Sequence, residues 1–255
     1  MADQWWKRHL EPGSDSDPES GWEAAAPSEA SSEAPANPES VLVRALGSDG
    51  QVRSRDRVRD LAEVFTHQRE VDAMLDMMPE AFKALDVKFL EPACGSGNFL
   101  VEVLRRKLRL VNFNECVSQA HYEHRLLRAV ASIYGVDISQ ENATEARARM
   151  GHVLLDWYET DGSTLLPTRG FLLAASAILS ANILLGDTLN AADQIEMCDW
   201  RPSSGGRFQR VWSYALVPID DRDLFWEERT QDHEPVHYSE LATVDVRRKT
   251  TRAKR

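Results

Sequence analysis

The segment Glu91-Pro92-Ala93-Cys94-Gly95-Ser96-Gly97-Asn98-Phe99 carries the chain's clearest potential for chemistry. Apolar residues precede it, and an amphipathic helical pattern follows. Two glycines one residue apart permit positive φ and let a ligand approach the main chain closely. Free N–H groups at the start of the helix can meet a carboxylate or a phosphate. The segment is not a phosphate loop, since no Gly-Lys-Ser/Thr follows. It is a poor dinucleotide fingerprint too, because Leu100 holds the third glycine position. On their own, these glycines equally suit a tight strand-to-helix turn without a ligand.

Two acids extend the pattern. Asp137 ends the next strand-like run, Ile133-Tyr134-Gly135-Val136-Asp137, where an acid typically takes the ribose hydroxyls of a nucleoside ligand. Its distance from Gly97 exceeds the usual ~20 residues, and an extra helix between them accounts for the excess. Asp137 could instead merely cap the following helix, a role open to Ser139 as well. Asp187 follows Asn182-Ile183-Leu184-Leu185-Gly186 and is placed to reach a nucleobase amine. It reads equally well as a turn residue.

These positions need strands and helices to hold them. Val71, Met74, Leu75 and Met78 recur at i, i+3, i+4, i+7 and predict a helix from Gln68, stopped by Pro79. A strand is expected over Val87 to Leu90, then a helix to about Leu110 with Leu100, Val103, Leu104 and Leu108 on one face. A second helix covers about Ser118 to Ser132. After Asp137 comes a long helix that Ser139 can cap, with Glu145 and Arg149 as an i, i+4 pair. An apolar helix follows over about Gly170 to Ser180, then the strand 182–185, and a fourth strand over Arg207 to Leu216. Strands alternating with helices predict an α/β fold with a parallel sheet and helices on both faces.

Composition bounds the rest. The 255 residues suffice for one globular domain with tails. Residues 1–40 hold nine acids against Lys7 and Arg8 and are rich in Ser, Pro and Ala, which predicts a disordered acidic tail. Of the formal net charge of −11, only −4 falls on the remainder, which neither demands nor forbids nucleic acid. Arg247 to Arg255 form a basic tail able to touch DNA phosphate without reading sequence. Cys94, Cys116 and Cys198 are far apart and odd in number, fitting a reducing compartment. No bilayer-length apolar run, secretory signal or metal-ligand spacing is present, so the expectation is a cytoplasmic chain without membrane or metal.

Together, the motifs from about Ala62 to Leu189 resemble the DNA adenine methylases of restriction-modification systems, notably the type I and fused type II kinds. Residues 91–100 look like that family's cofactor motif. Val64-Phe65-Thr66 resembles the motif before it, although His67 stands where the family usually has Pro. Residues 134–138 resemble the ribose-binding motif and 182–189 the adenine-binding one. The resemblance implies S-adenosylmethionine as cofactor on a Rossmann-like methyltransferase sheet. It places Phe65, Thr66, Glu91, Pro92, Ala93, Gly95, Gly97, Asn98, Phe99, Asp137, Ile138 and Asp187 around it. Gly95 and Gly97 would admit the methionine part and Glu91 would meet its amino group. Asp137 would hold the ribose, Asp187 the adenine amine, and Phe65 and Ile138 would pack on the cofactor. His67 reads as a polar surface residue.

The family's catalytic Asn/Asp-Pro-Pro-Tyr/Phe is missing. The target base must leave the duplex for a pocket, where oxygen acceptors hold its amine and an aromatic ring stacks on it. Residues 208–221 occupy the corresponding stretch. Trp212 and Tyr214 read there as core aromatics, and Asp220 and Asp221 as a turn. About 37 residues follow Pro218, too few for the remaining strands and a DNA-reading domain. The expected organisation is therefore a tail over 1–40, a methyltransferase-like domain over 61–218, incomplete on its C-terminal side, and an irregular extension over 219–255. Three functions fit. The chain could be a DNA adenine methyltransferase, or a subunit of one that needs a second chain for its catalytic and recognition parts. It could be a non-catalytic S-adenosylmethionine-binding protein in regulation or assembly, or a degenerate fragment that keeps only the fold.

Overall fold

The computed structural model describes residues 66–160, 165–214, 216 and 230–243. Phe65, the acidic and basic tails, Asp220 and Asp221 lie outside the described residues.

Helix α1 spans Gln68–Asp76, and Glu70 accepts the His67 N–H at its start. Strand β1 (Phe89–Glu91) leads through the glycine turn into α2 (Asn98–Leu108). Helix α3 (Gln119–Ala131) begins at Ser118, whose hydroxyl accepts the His121 N–H. It feeds β2 (Ile133–Asp137), followed by α4 (Gln140–Thr160). Helix α5 (Arg169–Asn182), capped by Thr168, feeds β3 (Ile183–Leu185). These three strands form a parallel sheet in the order β1-β2-β3, with Glu91 beside Gly135 and Asp137 beside Leu185. The expected mixed α/β architecture, with a parallel sheet flanked by helices, is present. The register sets the carboxyl ends of all three strands side by side.

Successive side chains of β2 point to opposite faces, and the two faces are covered differently. A methyl group at Gly135 would meet Leu100 and Cys94, on the helical face. Tyr134 donates its hydroxyl to Cys198 O on the other face, and Val136 clusters there with Ile195 and Met197. That second face is covered by strands, which corrects the expectation of helices on both sides. The covering strands are β4 (Met197–Ser203) and β5 (Arg207–Ser213).

The fourth strand is thus also corrected. Residues 207–213 are a strand, but it pairs antiparallel with β4, then with β6 (Thr230–Gln231) and β7 (Val236–His237). Connection length explains this. Only eleven residues, including a short 3-10 turn, separate β3 from β4. A parallel return needs a dozen or more residues and usually a helix, whereas an antiparallel pair needs only a short loop. Gly205 and Gly206, at φ 68° and 71°, make that loop. Pro202 is tolerated because β4 is an edge strand.

On α1 only Val71 and Leu75 are buried, while Met74 and Met78 are exposed. The buried stripe is narrower than the apolar pattern because only one side of α1 rests on α2. The main core joins α2, α3, α4 and α5 with β1 and β2, and includes Cys198, Trp200 and Phe208 of the second sheet. Among the described residues no helix is long and apolar enough to cross a membrane, and no group of acids, histidines and cysteines could hold a metal ion.

One buried polar residue ties several of these elements together. Glu123, fully buried on α3, accepts from Gln119, from the Tyr158 and Tyr238 hydroxyls, and from both the N–H and hydroxyl of Thr168. A buried carboxylate is tolerable only when its oxygens are satisfied in this way. The same bonds tie α3, α4, the start of α5 and the turn after β7.

Candidate functional site

The glycine turn is built from its backbone outward. Gly95 and Gly97 both have positive φ, at 53° and 86°. The two glycines serve different ends. A methyl group at Gly97 would stand 2.9 Å from the Ala146 methyl, so this glycine lets α4 pack against the turn. A methyl group at Gly95 would meet nothing within 4 Å, so the backbone there faces open space.

Asp137 sits at the middle strand end and is buried. One carboxylate oxygen accepts the Gly95 N–H at 2.8 Å. The other accepts from Ser139 N at 2.8 Å and from the Asn142 side chain at 3.1 Å. Of the two sequence readings of Asp137, these bonds show the capping one. It helps start α4, and it ties that start to the glycine turn.

The third strand end joins through main-chain and hydroxyl bonds. Gly186 N donates to Asp137 O, Cys94 N to Val136 O, and the Thr188 hydroxyl to Pro92 O. Asp187 is half-buried, and its carboxylate caps its own turn by accepting from Leu189 N, Asn190 N and the Asn190 side chain. The Asn190 bonds hold this carboxyl below the usual carboxylate range. Glu91 is half-buried, and burial raises its pKa against the opposing effect of the Ala93 N–H. Ile138 is 61% exposed beside Asp137, an apolar side chain at the rim. Leu185, 51% exposed at the end of β3, is a second. The sequence reading did not single out Leu185, although its strand-end position next to Gly186 was a usable signal.

Thr66 and Asn98 belong to the same neighbourhood, since the Asn98 amide donates to Thr66 O at 3.2 Å. Phe99, by contrast, turns into the core. Pro92 and Ala93 line the turn. His67 is exposed at the start of α1, as a polar surface residue would be. Trp212 packs against the main core.

The electrostatics select among ligands. Three carboxylates, Glu91, Asp137 and Asp187, stand at three adjacent strand ends. Two turn amides that a phosphate could use are already engaged, Gly95 N by Asp137 and Gly97 N by Cys94 O. Such an edge suits a ligand with hydroxyls and positive charge better than a phosphate. The buried Cys94 thiol beside it is pushed up to about 12 by burial and by the negative charge of Asp137 and Glu91, which leaves it protonated and unreactive.

Comparison with known proteins finds a partial similarity. Part of the chain, 86 residues or 34% of it, is 30% identical to "Adenine-specific methyltransferase PglX" of Streptomyces coelicolor. The match spans about 7% of that protein's length. No protein-family model matches the chain, and no solved structure matches it.

Proposed function

We propose that this chain is an S-adenosylmethionine-binding protein of DNA adenine methyltransferase type, weak or inactive in methyl transfer by itself. The observation that carries the reading is the row of three acids at the parallel strand ends beside an open glycine. A sulfonium nucleoside offers what this edge lacks: ribose hydroxyls for an acid, an adenine amine for Asp187, an ammonium group for Glu91, and no phosphate. The similarity to an adenine-specific methyltransferase supports the same cofactor. Gly95, Pro92 and Ala93 would border its methionine part, Asp137 its ribose, and Ile138 its adenine. Thr66 and Asn98 would close the site from the side of α1, next to Phe65.

The absence of Asn-Pro-Pro-Tyr from the sequence supports weak activity, because that motif supplies the acceptors for a target amine. In place of a fourth parallel strand, the described residues have an antiparallel sheet. A partner chain that supplies the catalytic and DNA-reading parts fits this arrangement. A non-catalytic role in regulation or assembly, with the same bound cofactor, fits it too.

Titration calorimetry of the full chain tests the cofactor. S-adenosylmethionine should bind and ATP should not, and Asp137→Ala should weaken binding at least tenfold. Failure of the folded wild type to bind removes the reading. Robust adenine methylation of DNA by the purified chain alone would overturn the proposed weakness.

A further inference from the structure

Arg149 lies two turns into α4, outside every motif that marks the site. Its Nη1 donates to Ser96 O at 2.8 Å, to the Ser96 hydroxyl at 3.2 Å and to the Asn98 side-chain oxygen at 2.8 Å. One guanidinium thus grips both residues that flank Gly97. The Asn98 bond has a second consequence. A side-chain amide carries its acceptor on one side and its donors on the other. With its oxygen held by Arg149, the Asn98 amide must aim its NH2 outward, where it donates to Thr66 O. The chain of contacts runs from α4 through the glycine turn to the segment entering α1. Charge-assisted bonds of this kind are about twice as strong as neutral ones.

We propose that Arg149 is a positioning residue for the ligand site: it sets the orientation of the Asn98 amide, and through it the placement of Thr66 beside the glycine turn. The inference rests on the S-adenosylmethionine reading above. Arg149 touches no ligand in this scheme. It acts on the part of the site beside Gly95 and Thr66, and leaves Asp137, Ile138 and Asp187 as they are. A ligand should feel its loss only through the groups that lie on that turn.

The test compares S-adenosylmethionine with 5′-methylthioadenosine, which lacks the amino-acid portion, by calorimetry on the full chain. Arg149→Met should weaken S-adenosylmethionine about tenfold and 5′-methylthioadenosine less than twofold. Arg149→Lys, which keeps a cationic donor, should recover part of the loss. Asn98→Asp keeps an acceptor for Arg149 but loses the donor to Thr66, and should weaken S-adenosylmethionine as Arg149→Met does. Melting temperatures of all variants identify any that fail to fold, and Arg149→Lys then carries the test. If wild type binds both ligands and every folded variant matches it, the positioning role is wrong while the cofactor reading stands. An equal loss for both ligands also overturns it, since that marks general loosening. If wild type binds neither ligand, the cofactor reading itself has failed.

Discussion

The parallel strand ends and the antiparallel sheet behind them are stabilised in opposite ways. At the strand ends, acids stand together around an open glycine, and among the described residues none of them makes an ion pair. In the antiparallel sheet, charge is turned inward and matched. Arg210 on β5 makes two bonds to Asp232 from its guanidinium, Nε to Oδ2 at 2.8 Å and Nη2 to Oδ1 at 3.0 Å, with both residues buried. His124 of α3 packs edge-on against Phe208 and bonds Arg207 O. The first region bonds its acids to main-chain and amide N–H groups, and the second pairs a buried acid with a buried arginine. That contrast predicts that the two regions fail under different insults.

The largest effect should come from Asp232→Ala. It leaves the Arg210 charge buried and uncompensated, at a cost of about 3–5 kcal/mol. Urea unfolding should register that loss, and any protein that remains folded should bind S-adenosylmethionine with wild-type affinity. A parallel collapse of stability and affinity would show that the regions are not separable.

Next in size are two titrations in different pH windows. Burial lowers the His124 pKa to about 4 against the opposing bond from Arg207. The unfolded chain then binds the proton first as pH falls below about 6.5, so stability declines from there toward pH 4, by up to about 3 kcal/mol. Lys107 is the counterpart beneath the parallel sheet. Buried and donating to Leu85 O and Val87 O, it has its pKa lowered to about 8 by burial. Between pH 8 and about 10.5 the unfolded chain binds more protons, so this group makes stability rise with pH. Relative to wild type, His124→Gln should flatten the acid limb and Lys107→Met the alkaline one. Denaturant midpoints across pH would show whether either limb is unchanged.

The smallest and sharpest contrast lies within the turn. Gly97→Ala forces a left-handed alanine against Ala146 and should cost about 2–3 kcal/mol of stability. Gly95→Ala has the same backbone strain but no contact, and should cost about 1 kcal/mol. If Gly95 borders the ligand, this milder variant should nonetheless lose more cofactor affinity than stability. Equal thermal losses in the two variants would contradict the assignment of Gly97 to packing and Gly95 to the open face.

Much of the parallel half was legible because its signals are local. Ser118 and Thr168 cap where hydroxyl residues before apolar helices should, and the glycine turn announces itself because only glycine takes its φ cheaply. The antiparallel half was not legible as such. Strand β4 contains Asp199 and Pro202 and reads poorly as a strand. The Gly205-Gly206 pair between two seven-residue runs was the signal for its hairpin.

The sequence by itself determined the helices, the three parallel strands and the candidate strand-end residues, since each depends on neighbours within one or two turns of chain. Only the tertiary structure decided how they are joined. Asp137 reaches back 42 residues to Gly95, Arg149 reaches 53 to Ser96, and Tyr238 reaches 115 to Glu123. No periodicity encodes such pairings. Each arises because a buried donor or acceptor must find a partner wherever packing has brought one.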